Sequence, residues 1–446
     1  MEPASTVDRI ANVTAFVGQN FEPARVDVRL AGGRIVDVGE PGPLGDAEGV
    51  TIDGTDMLAF PGMVDSHDHL RNLTPGLAVA EGLTIDGFLK VWWANGAKMG
   101  PDEYRLGALL GSLQRLRTGI TTVVDHCYTF HAPGLDEASI AGYVGSGARW
   151  IYARGIMTRP YQPVCETWDV AEAKIRELAD GVVPRDRLFV APVSIRQATP
   201  DEFTRSRSLA DDLGVGLYTH VAETAAEVET WKQETGETPI RALDRLGFLT
   251  DRTVLVHCVI LDDGEIELIA DRQAHVIHCP TNHMKLAKGF TRVPDLLTAG
   301  VNVAMGVDMM ADMFVEMRTE IGMHAAHRLD PNAVGKVDAF RMATHAGARA
   351  IGWGDRTGLI EPGRLADVVL IDARSVLQAP LIDPAYAVLY ATDPGMVRHV
   401  LVEGRWVVRD GRSTMVDEES LLAEVEDVVP RYLNRIGHPE ALWPRA

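Results

Sequence analysis

Two histidines one residue apart, His67 and His69, close the run GMVDSHDHL at residues 62–70. An apolar strand that ends in two imidazoles with the side-chain period of two sends both to the same side. Further strand-like runs end in chemistry-bearing residues of their own. GVGLYTHVAE (214–223) carries His220 and Glu223, TVLVHCVI (253–260) carries His257, and VNVAMGVD (301–308) ends in Asp308. Three histidines, His67, His69 and His220, with the carboxylate of Asp308 form a donor set for one divalent cation. Imidazole nitrogen suits Zn²⁺ first and Fe²⁺ as the alternative, and a shell with room left for water is the catalytic pattern. Such a cation brings the pKa of a bound water towards ~7. Glu223 could take the proton of that water and return it to a departing amine, an effect worth ~10²–10⁴ in rate. His257 could polarise the attacked atom or hold the hydroxide, and Asp308 could both ligate and accept from the water.

Residues so far apart in the chain meet only if the fold gathers strand ends at one place. Eight short apolar runs supply such strands: the one ending at His69, then 119–128, 148–156, 187–194, 214–223, 253–260, 274–280 and 301–308. Most are near-continuous apolar stretches, as strands buried on both faces require. Helix-like segments such as PDEYRLGALLGSLQRLRTG (101–119) and VAEAKIRELADG (170–181) separate them. Helical returns imply parallel pairing, and eight such units imply a closed (β/α)₈ barrel whose site lies at the strands' C-terminal ends. An open doubly wound sheet would want a glycine-rich phosphate loop after the first strand, and SHDHLRN is not one. The chain ends differ: 8–60 and 366–412 are short strands broken by Gly-Gly, Asp-Gly and Glu-Gly turns. The expected organisation is therefore an α/β chain, a TIM-like barrel over 61–365 and a small β-sandwich built from 1–60 and 366–446. A final helix is expected to break or kink at Pro430.

Lesser candidates follow from the same placement. The long excursion 70–100 after the first strand has the position of a lid or substrate wall, and its Trp92 and Trp93 either stack on a flat ring or pin the loop to the barrel. His126 ends the second strand, as second layer or substrate contact. His278 ends the seventh, His283 follows it, and Arg154 on the third is a candidate contact for a polar substrate. His324 and His327 read as structural or solvent-facing, and His345 as packing near the junction with the terminal sheet.

The 446 residues hold 46% hydrophobic and 24% charged residues, with 43 Lys plus Arg against 63 Asp plus Glu and a net charge of −20. That balance disfavours nucleic acid and anionic membrane as partners and leaves a small-molecule substrate. No secretory signal is visible at the start, and no run approaches the ~18 apolar residues of a membrane span, so a cytoplasmic enzyme is expected. Cys127, Cys165, Cys258 and Cys279 form no CxxC pair and read as reduced thiols.

PGMVDSHDHL, LRTGITTVVD, THVAET, HCVILDDGEI, HCPTNHMKLAKGF and LLTAGVNVAMGVDMMADMFVEMR resemble the successive barrel motifs of the amidohydrolase superfamily. THAGARAIG and GLIEPGRLADVVLID resemble its exit from the barrel into the β-sandwich. By these motifs the chain is most similar to the branch of chlorotriazine hydrolases, methylthioadenosine/S-adenosylhomocysteine deaminases and guanine deaminases. The resemblance implies His67, His69, His220 and Asp308 on the metal, Glu223 as proton shuttle and His257 orienting substrate or hydroxide. It also implies one metal rather than two, since RLFVAPVS carries no lysine to bridge a pair, and a homodimer or homotetramer. The implied activity is hydrolysis at an electrophilic ring carbon of an N-heterocycle or amidine, expelling ammonia, an amine or another leaving group. Amide or urea hydrolysis on the same site, and a non-catalytic metal-binding barrel, are the alternatives. Val193-Ser194-Ile195-Arg196 replaces a His-x-x-Tyr-like stretch, Asn282-His283 replaces Ser-Asn, and Met309-Met310-Ala311 shortens a polar loop. Those departures argue for a pocket less suited to a ribosyl group.

Overall fold

The computed structural model describes residues 6–42, 49–71, 73, 81–310 and 312–437; residues 72 and 74–80 of the excursion 70–100 lie outside them. Eight strands form one sheet in strict chain order. They are β1 (Met63–Asp68), β2 (Ile120–Cys127), β3 (Arg149–Ile156), β4 (Leu188–Pro192), β5 (Gly216–Val221), β6 (Thr253–His257), β7 (His275–His278) and β8 (Asn302–Met305). Every pairing between neighbours is parallel, so each return must cross over, and helices do so. β8 comes back to β1: the Asp308 N–H donates to the His67 carbonyl at 3.0 Å, and Val307 N–H to Asp65 Oδ1 at 3.0 Å. Gly306 permits that approach, because a Cβ there would sit 2.9 Å from the His67 backbone nitrogen.

Helix α1 (Ile85–Gly96) lies in the excursion after β1, and α2 (Pro101–Arg117) follows it. The start of α2 is set by Pro101 at its first position and by Glu103, whose carboxylate accepts from Gly100 N–H at 2.7 Å; Arg115 and Arg117 occupy its last turn. One buried apolar cluster fills the space between strands and helices, and a separate one, including Val64, Val124, Ile151, Phe189, Tyr218, Val256 and Ile277, is associated with the barrel strands.

The two chain ends together build a nine-stranded sheet, in which Met57–Pro61 pairs antiparallel with Val368–Asp372. Its own cluster includes Ile10, Val28, Ile35 and Leu401. The last helix, α3 (Glu418–Ile436), runs on as one helix with Pro430 inside it, so of the expected break or kink the break does not occur. Burial of Val428, Val429, Tyr432, Leu433 and Ile436, and an Arg435–Glu103 ion pair to α2, hold the turns on either side of the proline. Cys127, Cys258 and Cys279 are buried, Cys165 is half-buried, and all four are free thiols.

Candidate metal centre and active site

β1 ends in Asp65-Ser66-His67-Asp68-His69, and all five side chains are buried. The two aspartates have a mechanical task. Asp65 Oδ1 accepts from Val307 N–H, and Asp68 Oδ1 accepts from Met309 N–H at 3.0 Å, so they clamp both flanks of Asp308 against the first strand. Arg115, from α2, balances them, its Nη2 lying 2.6 Å from Asp68 Oδ2. The histidines between them face the barrel mouth.

Each histidine has one ring nitrogen tied down. His69 Nδ1–H donates to the His126 carbonyl at 2.7 Å, and His220 Nδ1–H to the Val193 carbonyl at 2.8 Å. Tyr218 gives its hydroxyl proton to the Ser66 carbonyl at 2.7 Å, so its oxygen accepts from His67 Nδ1–H at 2.9 Å. All three rings are thus left with Nε2 bare, and burial depresses their basicity: His220 falls to about 4, and His67 and His69 fall well below the usual imidazole value. The bare Nε2 atoms of His67 and His220 face each other at 3.2 Å. Two lone pairs hold that distance only with a positive charge between them, and two ligands on one tetrahedral Zn²⁺ would stand about 3.3 Å apart by the usual Zn–N lengths. Asp308 Oδ1 lies 3.7 Å from His67 Nε2 and 3.8 Å from His69 Nε2. The four expected ligands therefore converge, and their chemistry fits a divalent cation.

Beside them, Glu223 is 5% exposed in its side chain and fully engaged. Its Oε1 is 2.6 Å from Lys288 Nζ and 3.3 Å from His257 Nε2, while Arg196 Nη1 donates to Oε2 at 2.8 Å. Burial alone would raise this carboxyl, but Lys288 and Arg196 overrule it and bring it down to about 2. Asp308 goes the other way, pushed by burial to about 7. The backbone is strained here: Ala222, His257, Cys258, Asp308 and Met309 all have positive φ, His257 at 80°. Non-glycine residues in that region cost of order 1–3 kcal/mol each and gather where geometry serves a function.

His283, expected as a substrate residue, reaches the site through another side chain: its Nε2 meets His257 Nδ1 at 3.0 Å. His126 is fully buried, its ring stacked 4.7 Å from that of His220, and it does not line the pocket. His278 is turned away from the pocket; its Nδ1 pairs with Glu320 at 2.5 Å, and His324, also buried, sits 3.1 Å from the same carboxylate. Neither His278 nor His324 faces substrate or solvent, because the buried Glu320 needs partners. Arg154, expected to contact a polar substrate, does not line the pocket: Asp136 and Glu166 hold its guanidinium 3.7 Å over the Phe130 ring. Trp92 and Trp93 pin rather than line. They are 5% and 8% exposed; Trp92 stacks on Phe88 and takes the Arg71 guanidinium 4.2 Å over its ring. The face of α1 that does line the pocket carries Ile85, Phe88 and Leu89, and Tyr128, Leu286 and Met309 add to the wall.

Lys288 and Arg196 were not among the expected site residues. Arg196 was visible as a departure after β4. Lys288 carried no signal of its own, since a lysine in a loop reads as solvated until the fold buries it.

With this geometry in place, the comparisons with known proteins are consistent. Residues 58–407 match the model of the amidohydrolase family. The 5'-deoxyadenosine deaminase of Methanothermobacter thermautotrophicus is 34% identical over 413 residues, covering 90% of this chain and 93% of the relative. The 5-methylthioadenosine/S-adenosylhomocysteine deaminase of Pelotomaculum thermopropionicum is 32% identical over 418 residues, covering 92% and 94%. Among solved structures, an adenosine deaminase from Xanthomonas campestris with bound zinc superposes with a TM-score of 0.87 at 30% identity, covering 98% of this chain and all of that one. The zinc complex of an atrazine chlorohydrolase from Arthrobacter aurescens gives 0.88 at 25% identity, covering 95% and 100%. Fold, converging ligands and relatives over nearly the full length agree: the chain belongs to the amidohydrolase family.

Proposed function

We propose that the protein hydrolyses a C–N bond at an electrophilic carbon of an aza-aromatic ring, releasing ammonia or an amine, with zinc as the metal and iron(II) as the alternative. The observation that carries this reading is Glu223, placed 3.3 Å from His257 Nε2 beside a set of imidazoles whose free nitrogens converge. A divalent cation held by His67, His69, His220 and Asp308 supplies Lewis acidity and acidifies a water when bound. The chain's own residues do the rest. Glu223 accepts a proton from the attacking water and delivers it to the leaving nitrogen, so that a C–O bond forms, the C–N bond breaks and the amine departs neutral. His257, facing an acceptor-only carboxylate, carries its proton on Nε2; once Glu223 has taken up the water's proton, that N–H is released to donate to the attacked atom. The apolar wall of Ile85, Phe88, Leu89 and Leu286 suits a flat ring.

The relatives named for 5'-deoxyadenosine and for methylthioadenosine/S-adenosylhomocysteine weigh against the expectation that adenosine-type substrates are disfavoured, so these belong in any substrate panel. The panel is aminopurines, their nucleosides, aminotriazines, chlorotriazines, ureas and anilides on zinc-loaded protein, read as ammonia or amine release. Glu223→Gln should keep the metal and lower turnover by about 10²–10⁴. Full activity in that variant would remove Glu223 from the reaction. Release from ureas or anilides alone would move the reading to amide chemistry. A homodimer or homotetramer is the assembly we propose, to be checked by light scattering.

A further inference from the structure

We propose that the substrate ring carries a lactam edge, an N–H beside a C=O, and that Asn282 Oδ1 receives the N–H. The inference deepens the hydrolytic reading above and rests on it. Asn282 lines the pocket and is 2% exposed. Its Nδ2 donates to the Asp308 carbonyl at 3.1 Å. A carbonyl only accepts, so that bond fixes which end of the amide is nitrogen and leaves the other end as an acceptor. The backbone is fixed as well: Asn282 lies in the short helix Pro280–Lys285, and its own carbonyl accepts from Leu286 N–H at 3.0 Å.

The amide oxygen is buried and has no hydrogen-bond partner. Among the described residues, no other side chain of the pocket wall has a buried polar atom in that condition. The neighbouring groups are matched within the protein. Ser194 Oγ–H donates to Gln197 Oε1, His220 Nδ1–H to the Val193 carbonyl, and Arg196 to Glu223 and Thr224. An acceptor stranded in a dry site loses the hydrogen bonds it made to water in the unfolded chain. Turning the amide over gives no relief, because it would set oxygen against the Asp308 carbonyl. An N–H brought by a ligand satisfies the oxygen where it stands.

The chemistry around it narrows the ligand. In the hydrolytic reading the leaving nitrogen is the partner of Glu223, which leaves the donor for Asn282 to the ring. Lys288 supplies the complement. Asn282 meets Asp308 at its carbonyl and Lys288 meets it at its carboxylate, with Nζ 3.8 Å from Oδ2. An ammonium carries three N–H groups, so with Glu223 Oε1 at 2.6 Å taking one, donors remain for a ring oxygen. An acceptor and a donor gathered around one residue fit N–H and C=O in succession, the edge of aminopyrimidinones and 6-oxopurines. An adenine-type ring, whose edge nitrogens only accept, leaves Asn282 Oδ1 unpaired, and a site built for an N–H rejects such an analogue for that reason.

Matched ligands with the same amino group test this, with binding to zinc-loaded protein measured by calorimetry. Isocytosine is set against 2-aminopyrimidine, which lacks the lactam, and against 3-methylisocytosine, which lacks only the N–H. Guanosine against 2-aminopurine riboside repeats the comparison on a larger ring. On at least one of the two scaffolds the N–H member should bind roughly tenfold or more tightly than its analogues. Asn282→Leu, of nearly the same size, should abolish that preference. Asn282→Ser, whose hydroxyl can still donate to the Asp308 carbonyl, should do the same with unchanged zinc content and melting temperature, and it decides the matter if the leucine variant loses metal. Equal affinities on both scaffolds, no binding of either N–H member, or a preference that survives the Asn282 substitutions overturns the proposal. Ammonia release followed in parallel keeps the two readings apart. Release without any preference for the N–H members leaves hydrolysis standing and rejects the lactam edge. An Asn282-dependent preference with no release from any C–N substrate upholds the recognition and rejects the hydrolytic reading.

Discussion

His283 Nε2 lies 3.0 Å from His257 Nδ1, and the opposite nitrogen of His257 lies 3.3 Å from Glu223. The carboxylate cannot donate, so the proton of His257 belongs on Nε2 and Nδ1 must accept from His283. His283 therefore fixes which nitrogen of His257 is the donor without touching substrate itself. His283→Leu should lower kcat by roughly 10–100-fold, the usual effect of losing an orienting partner. KM, zinc content and melting temperature should change little, and His283→Asn, whose amide can donate, should restore most of the rate. Equal kcat in His283→Leu and wild type would show that the tautomer is set elsewhere.

Tyr218 stands to His67 as His283 stands to His257. Its hydroxyl oxygen accepts from His67 Nδ1–H and keeps Nε2 bare for the cation. Tyr218→Phe should fold, since the ring stays in the barrel's inner cluster, and should weaken zinc roughly 10–100-fold. Competition with a chromogenic chelator measures this. Unchanged zinc affinity would mean that the His67 ring is held by packing alone.

The strand-end logic made most of this site legible. Period-two alternation and apolar runs of strand length placed His67, His69, His220, His257 and Asp308 at one mouth, because a parallel barrel leaves few other arrangements. The misjudged residues share a cause. Arg154 and His278 also end strands, yet their side chains are claimed by Asp136, Glu166 and Glu320, residues distant in sequence or on another element. Trp92 and Trp93 could be placed on the excursion but not assigned to pinning or lining, since Ile85, Phe88, Leu89, Trp92 and Trp93 form one buried stripe of α1 and only the tertiary contacts separate those that meet the pocket from those that do not. Lys288 shows the converse: burial gave meaning to a residue whose type and spacing carried none.

The barrel and the terminal sheet are joined by a buried ion pair. Arg149, on β3, forks onto Asp367, with Nη2 3.0 Å from Glu403 as well, and both members of the main pair are 1% exposed. Thr357 Oγ1–H also donates to Asp367, at 2.7 Å. Asp367→Ala leaves the guanidinium buried without its counter-charge and should destabilise the protein by about 3–5 kcal/mol. Thermal or urea unfolding measures the loss, and the metal ligands should be unaffected in the folded fraction. Replacing both partners by apolar residues should cost much less, because the penalty comes from the stranded charge.

His275 opens β7 at the end of the barrel away from the metal, where burial and, to a smaller degree, the nearby Arg349 lower its pKa to about 4. In the unfolded chain the same ring titrates near 6.5. Between those values the unfolded state binds a proton that the folded state refuses, so His275 makes folding less favourable as pH falls from about 6.5 towards 4 and has no effect above that window. Buried carboxyls such as Glu316, pushed by burial to about 8, act in the opposite sense, so the pH curve of the whole protein is a composite. A substitution isolates the single contribution. His275→Gln cannot titrate, and its stability relative to wild type should therefore improve steadily on acidification, by roughly 2–3 kcal/mol at pH 4. The difference should be flat between pH 7 and 8. Parallel curves for the two proteins from pH 7 to pH 4 would mean that His275 takes up its proton in the folded state as easily as in the unfolded one, and that the burial around it opens to water.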